Sequence, residues 1–119
     1  MEKIETDIEG IVSPSHPPIM GVVKLASSAG ALKAGTVLKY SSGSYSAAED
    51  SDTPFAVLVE DVEPHPSGEV NVRVLLHGIA VESRLLNASQ AAPNDTFKGK
   101  LPGAGIYLTQ SVWSESNFN

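Results

Sequence analysis

Cysteine is absent from this chain of 119 residues, and aromatic residues make up only 6% of it. Without a thiol, the sequence excludes disulfides, cysteine nucleophiles and cysteine-ligated metal sites. No apolar run approaches the ~18 residues that a membrane-spanning helix requires, and the N-terminus lacks the apolar core of a signal peptide. We therefore expect one globular domain that is made and assembled in a cytoplasm and has no membrane partner.

Positive charge is scarce as well, because 8 Lys and Arg residues stand against 14 Asp and Glu residues, for a net charge of −6. Proteins that bind nucleic acids normally present a cationic face, so the charge argues against direct nucleic-acid binding. Between residues 41 and 71 there is no Lys or Arg, although several acids lie there. Such a run is usually a solvated rim; the alternative is an acidic surface for a basic partner or for cations.

The residue types that carry catalysis or bind metal ions form no motif here. The histidines His16, His65 and His77 are far apart, and none has a second ligand at metal-binding spacing. Glu60 and Asp61 are adjacent, but neighbours on a strand point to opposite faces, which makes them a poor acid–base pair. We therefore predict no enzyme activity, no cofactor and no metal site.

Two apolar runs rich in Val and Leu, at residues 55–62 and 70–81, dominate the middle of the chain. The second run alternates apolar and polar residues at its start, the period of two expected for a strand with one buried face. The break between the runs contains Pro64 and Pro66, which lack the amide donors that a ladder needs. This pattern predicts a long antiparallel pair at the centre of the fold.

Shorter strands are predicted on both sides of this pair, at residues 19–25, 36–40 and 106–108, and the last is open to extension to residue 112 or 113. A tight Ser/Gly reversal after residue 40 predicts a hairpin that returns through residues 45–47. Many short strands with closely spaced turns predict a mainly β fold, either a small barrel or a sandwich.

One helix is predicted after the central pair. Residues 83–92 lose the alternation, contain good helix formers, and lie between a possible Ser83 cap and a Pro93 stop. The prediction is a short helix of about two turns with Leu85 and Leu86 facing the core. Residues 94–105 are predicted to form a loop.

The first 18 residues differ from the rest of the chain. Residues 4–8 alternate Ile and Thr with acids, and three prolines follow within five positions, beginning at Pro14. Alternating β-branched residues suit a strand that adds to the sheet edge of a partner. A plain disordered tail is the alternative.

Five stretches of the chain, taken in order, resemble one protein family. They are K-A-G-T-V-L at 33–38, P-F-A-V-L-V-E-D-V at 54–62, V-R-V-L-L-H-G-I-A-V at 72–81, L-L at 85–86 and G-I-Y-L at 105–108. Over residues 20–108, this order of strands, turns and small residues is similar to that of the head decoration proteins of tailed phages, the lambda-type capsid decoration proteins.

The resemblance implies a small β-clip or β-tulip domain and a homotrimer that binds the outside of the expanded phage head at three-fold sites. Such trimers clamp the major capsid protein and stabilise the shell against the pressure of packaged DNA, so the implied location is the outer surface of the virion. The implied division is a mobile N-terminal arm at 1–18, a β domain at 19–113 and a polar tail at 114–119. Carried over to this chain, the arm would contact the capsid through Ile4, Thr6, Ile8, Ile11, Val12 and Pro14.

Two other functions stay open on the residues alone. A small-molecule or carbohydrate-binding β module would need a concave site with convergent polar groups, and the few aromatic residues argue against it. A β-clip enzyme similar to trimeric nucleotide hydrolases would need carboxylates and a phosphate-holding loop at shared interfaces.

Overall fold

The computed structural model describes residues 18–28 and 30–110. These residues form a short helix, α1 (Asp95–Lys98), and two 3₁₀ turns, at Glu82–Arg84 and Leu101–Ala104. The strands are β1 (Ile19–Leu25), β2 (Val37–Ser41), β3 (Ser44–Ala47), β4 (Ala56–Leu58), β5 (Val70–Val81) and β6 (Ile106–Thr109). The prediction of a mainly β fold with one short helix is confirmed.

Five of the strands close into a ring. The sheet has the order β1-β3-β2-β4-β5-β6, and β1 also pairs with β5. The β1–β5 ladder is antiparallel and extends from Ile19 opposite His77 to Leu25 opposite Val70. The closure between β1 and β3 is narrow, a single parallel pairing of Leu25 with Tyr45. The barrel is therefore partial, and β6 extends it by pairing in parallel with the second half of β5.

The central antiparallel pair is shorter than the sequence predicts. A long strand is predicted at residues 55–62, but β4 covers only Ala56–Leu58 and pairs with the middle of β5. The run then leaves the sheet, because Val62 forms backbone hydrogen bonds with Leu32 instead of continuing along β5. The long partner of β5 is β1, whereas the bounds of β5 itself, Val70–Val81, agree with the prediction.

The centre of the sheet is buried on both faces. Inside the ring, one core collects side chains from the ring strands and the loop before β2: Leu25, Leu32, Leu38, Ala56, Leu58, Val72 and Val74. A second core covers the opposite face of β2, β4 and β5 with side chains from α1, the second 3₁₀ turn and β6; its larger members are Val37, Val57, Leu75, Leu85, Phe97, Leu101 and Ile106. The predicted single buried face of β5 therefore applies only to its first residues, since beyond them both faces meet apolar neighbours.

The helix predicted at residues 83–92 is wrong. After the turn Glu82–Arg84, Leu85 returns to an extended conformation with ψ 144°, and its buried side chain belongs to the second core. Leu86 pairs with Thr36 instead of continuing a helix. Long-range pairing with the start of β2 replaces the local hydrogen bonds that a helix would need.

Asn87 holds the following residues in a loop. Its Oδ1 accepts hydrogen bonds from the amides of Ser89 (2.9 Å) and Ala91 (3.2 Å), and Gln90 has a left-handed φ of 61°. Asn side chains commonly compete with helix formation in this way. The helix lies further on, inside the predicted loop 94–105, where the Asn94 side chain accepts from the Phe97 amide at 2.8 Å and caps α1.

Several predictions lie outside the described residues. These are the structure of residues 1–17 of the arm, the extension of the last strand to residue 112 or 113, and the tail at 114–119. Within the described ranges, β6 ends at Thr109.

Candidate functional site: the arm exit and the adjoining groove

Pro18, the last residue of the predicted arm, is packed on the domain. A Cβ added to Gly78 would lie 3.3 Å from the Pro18 Cα and 3.4 Å from its Cβ. The next residue, Ile19, already pairs with His77, and the register shifts between Ile19 and Met20. The predicted arm at residues 1–17 therefore joins the described domain beside Gly78, in the second half of β5.

Gly78 and Gly105 allow close packing at the arm exit. The Gly78 amide donates to the carbonyl oxygen of Gly105 at 3.0 Å, which joins the exit to the turn before β6. Gly105 has φ 89°, and a Cβ there would lie 2.7 Å from His77 Cδ2. The His77 ring in turn packs edge-to-face against Tyr107, with 6.0 Å between ring centroids. A side chain at position 105 would be strained and would displace the imidazole.

A groove of about 360 Å³ opens next to Gly105. Its walls are the start of β4 on one side and the second 3₁₀ turn on the other; the lining residues are Thr53, Pro54, Phe55, Lys100, Gly103 and Ala104. The Phe55 ring is 46% exposed and lies 5.8 Å, between centroids, from the ring of Tyr40. Tyr40 also packs edge-to-face against Tyr45 at 5.2 Å. The groove thus has an aromatic wall and a wall of small residues, an arrangement suited to an apolar ligand.

The one cation among the lining residues is held by backbone carbonyl groups. Lys100 Nζ donates to the carbonyl oxygens of Asp52 (3.0 Å) and Asp50 (3.5 Å) and lies 5.8 Å from the Phe97 ring centroid. These contacts tie the acidic loop before β4 to the segment after α1. The ammonium therefore fixes the shape of the groove more than it attracts an anion into it.

The side chain of Asp52 adds further contacts that hold the same loop. Its carboxylate accepts from the Glu49 amide at 2.8 Å and forms an ion pair with Lys39 at 3.2 Å. The hydrogen bond from the Glu49 amide is the largest cause that lowers the pKa of Asp52; desolvation opposes it, and Lys39 and Lys100 add to the lowering. The carboxylate is consequently ionised at neutral pH, where it stabilises the loop that leads into the groove.

Other acids of the run between residues 41 and 71 also have structural partners. Glu60 accepts from the amide of Arg73 at 2.7 Å and lies 3.4 Å from its Nε, and Asp61 accepts from the Ala34 amide at 2.8 Å. The two carboxylates thus bind different segments and do not converge as an acid–base pair. These contacts favour the interpretation of the run as a structural and solvated rim, and they leave the acidic docking surface a prediction.

Exposed apolar side chains flank the arm exit. On β1, Ile19 is 57% and Val22 65% exposed, and Tyr107 is 46% exposed beside His77. Because Ile19 pairs with His77 and His77 packs on Tyr107, Ile19 and Tyr107 lie on either side of one residue. This pair of exposed apolar side chains beside the exit is a candidate contact surface.

The residues predicted to contact a capsid, and His16, lie outside the described residues: Ile4, Thr6, Ile8, Ile11, Val12 and Pro14. The structure places His65 in a loop, where its Nε2 lies 2.8 Å from the Ala26 carbonyl oxygen, and His77 in β5. In residues 18–28 and 30–110, no three His, Asp or Glu side chains are close enough together to hold a metal ion.

The aromatic group at the groove was missed in the sequence. Tyr40 and Tyr45 flank the Ser/Gly reversal, and the hairpin register places them directly opposite each other, so their pairing had a local signal. Phe55 had none, because its contact with Tyr40 depends on the pairing of β2 with β4. The wall formed by Gly103 and Ala104 comes from a still more distant part of the chain.

Comparison of the chain with models of known protein families finds no match, and comparison with curated protein sequences finds none either. Within the part of the chain that the structure describes, none of the helices is long and apolar enough to cross a membrane.

Proposed function

We propose that this chain is a structural cement protein of a phage head. In this proposal a homotrimer binds the outside of the expanded head at three-fold sites and clamps neighbouring copies of the major capsid protein with its N-terminal arms. The observation that carries the proposal is the arm exit, where Pro18 is packed on the domain and exposed Ile19 and Tyr107 lie close by. The resemblance of residues 20–108 to the head decoration proteins supports it.

The arm has the composition that strand addition requires. In an extended chain Ile4, Thr6 and Ile8 share one face, and Glu5 and Asp7 share the other. An added strand gains main-chain hydrogen bonds from the edge it joins and selectivity from the pockets that take alternate side chains. An extended stretch of 17 residues spans at most about 55–60 Å, enough to reach across a subunit boundary.

The domain suits the role of a rigid platform for such arms. Both faces of the central sheet are buried, and the exit is held by packing at Gly78 and by the hydrogen bond to Gly105. Three arms on one rigid trimer raise the effective concentration of each arm once the first has bound. Three arms that each bind weakly can then hold the trimer tightly on the capsid.

Binding to heads tests this function directly. Purified protein is mixed with expanded, undecorated heads of the corresponding phage and with unexpanded heads as the control, and bound protein is measured by co-sedimentation. We expect saturable binding to expanded heads and none to unexpanded heads. Failure to bind expanded heads would contradict the proposal.

The two faces of the arm provide a matched pair of variants. Ile4→Ser with Ile8→Ser should weaken head binding at least tenfold, because burial of one Ile side chain contributes roughly 1.5–3 kcal/mol. Glu5→Ser with Asp7→Ser changes the same number of residues on the opposite face and should change binding far less. Equal losses from the two pairs would argue against a strand with one gripping face.

A further inference from the structure

The groove beside Phe55 lies next to the point where the arm leaves the domain. Pro18 packs on Gly78, the Gly78 amide donates to Gly105, and Gly105 directly follows Ala104, a lining residue of the groove. The residues just before Pro18 therefore start within a few residues' length of the groove. Four residues in the polyproline II conformation span about 12 Å, which sets how far residues 14–17 can reach from Pro18.

We propose that the proline segment at residues 14–17 of the same chain docks in this groove and anchors the base of the arm. The segment has the sequence Pro14-Ser15-His16-Pro17 and is followed by Pro18. A Pro-x-x-Pro sequence favours the polyproline II conformation, and grooves with aromatic walls bind such segments at low entropic cost because they are already extended. Phe55 supplies the aromatic wall, and the ring of Tyr40 lies behind it at 5.8 Å between centroids.

The charge pattern selects this part of the arm over the rest. Residues 10–18 contain no Asp, Glu, Lys or Arg, whereas residues 1–9 contain four acids and one Lys. The acidic loop at Glu49 and Asp52 leads directly into Thr53, a lining residue of the groove, and the ammonium of Lys100 is already bound to carbonyl oxygens. This neighbouring acidic loop disfavours the acidic start of the arm, whereas residues 14–17 contain no Asp, Glu, Lys or Arg whose charge would be desolvated in the groove.

An anchored base would give the arm a fixed direction. With residues 14–17 in the groove, the alternating part of the arm begins at a defined place on the surface and keeps its freedom only beyond it. The entropic cost of ordering the arm on a partner is thereby lower, since part of the segment is ordered beforehand. This device belongs to the free protein and does not depend on which partner the arm binds.

The absence of cysteine permits a clean test on the full chain. Ser15→Cys introduces a single thiol for a nitroxide spin label in isotopically labelled protein, and the backbone amide signals are observed by nuclear magnetic resonance. We expect loss of peak intensity at Phe55, Gly103 and Ala104. The loop at His65 should keep its intensity, because it bridges Ser28 beyond the far end of β1.

Matched variants show whether the groove causes this proximity. Phe55→Ser removes the aromatic wall and Pro17→Ser removes a ligand proline, and each should restore the lost intensity. Tyr107→Ser is the control, because Tyr107 and Phe55 have the same exposure of 46% but only Phe55 lines the groove. Since both substituted aromatic rings are half exposed, the fold should persist in both, and the unchanged amide spectrum of the core checks it.

Three results would overturn the proposal. One is full intensity at Phe55, Gly103 and Ala104 with the label attached, and another is an intensity loss that Phe55→Ser leaves unchanged. The third result comes from a mixture of spin-labelled chains without isotope and isotope-labelled chains without spin label. If the intensity loss appears in this mixture and not within one chain, the occupant of the groove is a neighbouring copy. No head is present in this experiment, so its failure is distinguishable from failure of the proposed capsid function.

Discussion

At the scale of single residues, the arm exit depends on a glycine that the sequence alone does not single out. Gly105 combines φ 89° with a distance of only 2.7 Å from its hypothetical Cβ to His77 Cδ2. Gly105→Ala should therefore lower the free energy of unfolding by about 1–3 kcal/mol, through backbone strain and displacement of the imidazole. Urea denaturation measures the change.

Gly103 provides the control for this prediction. A Cβ at Gly103 meets no described atom within 4 Å, so Gly103→Ala should change the free energy of unfolding by no more than about 0.5 kcal/mol. If the two substitutions have the same effect, the packing of Gly105 against His77 contributes nothing to stability.

Asp52 predicts a pH dependence of stability. The Glu49 amide and then Lys39 lower its pKa in the folded protein below the ordinary value of 3.8, so its ionised form favours folding above that value. The contribution is present in full at neutral pH and is lost as the pH falls from about 3.8 through the lower folded-state pKa. Asp52→Asn should be less stable than the parent protein at pH 7.

The difference between Asp52→Asn and the parent should shrink steadily as the pH falls below about 4, as measured by thermal unfolding at a series of pH values. Asp61→Asn is the comparison, because Asp61 also accepts a backbone hydrogen bond but has no Lys or Arg ion pair among the described residues. A difference for Asp52→Asn that grows on acidification would contradict the assigned role.

At the scale of elements, strands with local signals could be predicted and segments held by distant contacts could not. Valines and leucines between turn residues located β5, and the Ser/Gly reversal located the β2–β3 hairpin. The run at 55–62 carries the same signal, but its second half pairs with Leu32. The groove could not be predicted, because its walls come from β4 and the turn Leu101–Ala104, which only the fold brings together.

The loop that replaces the predicted helix gives a prediction at this scale. Asn87 is 9% exposed. Its Oδ1 accepts hydrogen bonds from the amides of Ser89 and Ala91, and its Nδ2 donates to Asp50 Oδ1 at 3.2 Å. Asn87→Ala leaves these groups without their partner and should cost about 1–3 kcal/mol of unfolding free energy. Chemical denaturation followed by circular dichroism measures it.

Substitution of Ser83 distinguishes the observed loop from the helix that the sequence predicts. A helix at 83–92 would lose about 1 kcal/mol when its Ser83 cap is removed, whereas Ser83 is an exposed residue inside a 3₁₀ turn. Ser83→Ala should therefore leave stability unchanged within about 0.5 kcal/mol. A large loss for Ser83→Ala together with a small loss for Asn87→Ala would favour the helix.

At the scale of the whole molecule, the two cores and the arm exit have different structural roles. The ring core and the second core make a stiff body on both sides of one sheet, and the exit at Pro18 connects this body to the alternating sequence upstream. The fold class followed from turns and strand patterns, whereas the proposed capsid-binding role of the arm rests on the sequence of residues 1–17 and on the resemblance. In the proposed trimer, stiffness of the body lets three arms act together.

Deletion of residues 1–17 is the most direct test of the capsid proposal. Pro18 is kept, because it packs on Gly78 and belongs to the body. The truncated protein should keep the fold and the oligomeric state of the full chain, and its binding to expanded, undecorated heads should fall below detection in the co-sedimentation assay. Binding of the truncated protein at full strength would contradict the claim that the arm clamps the capsid.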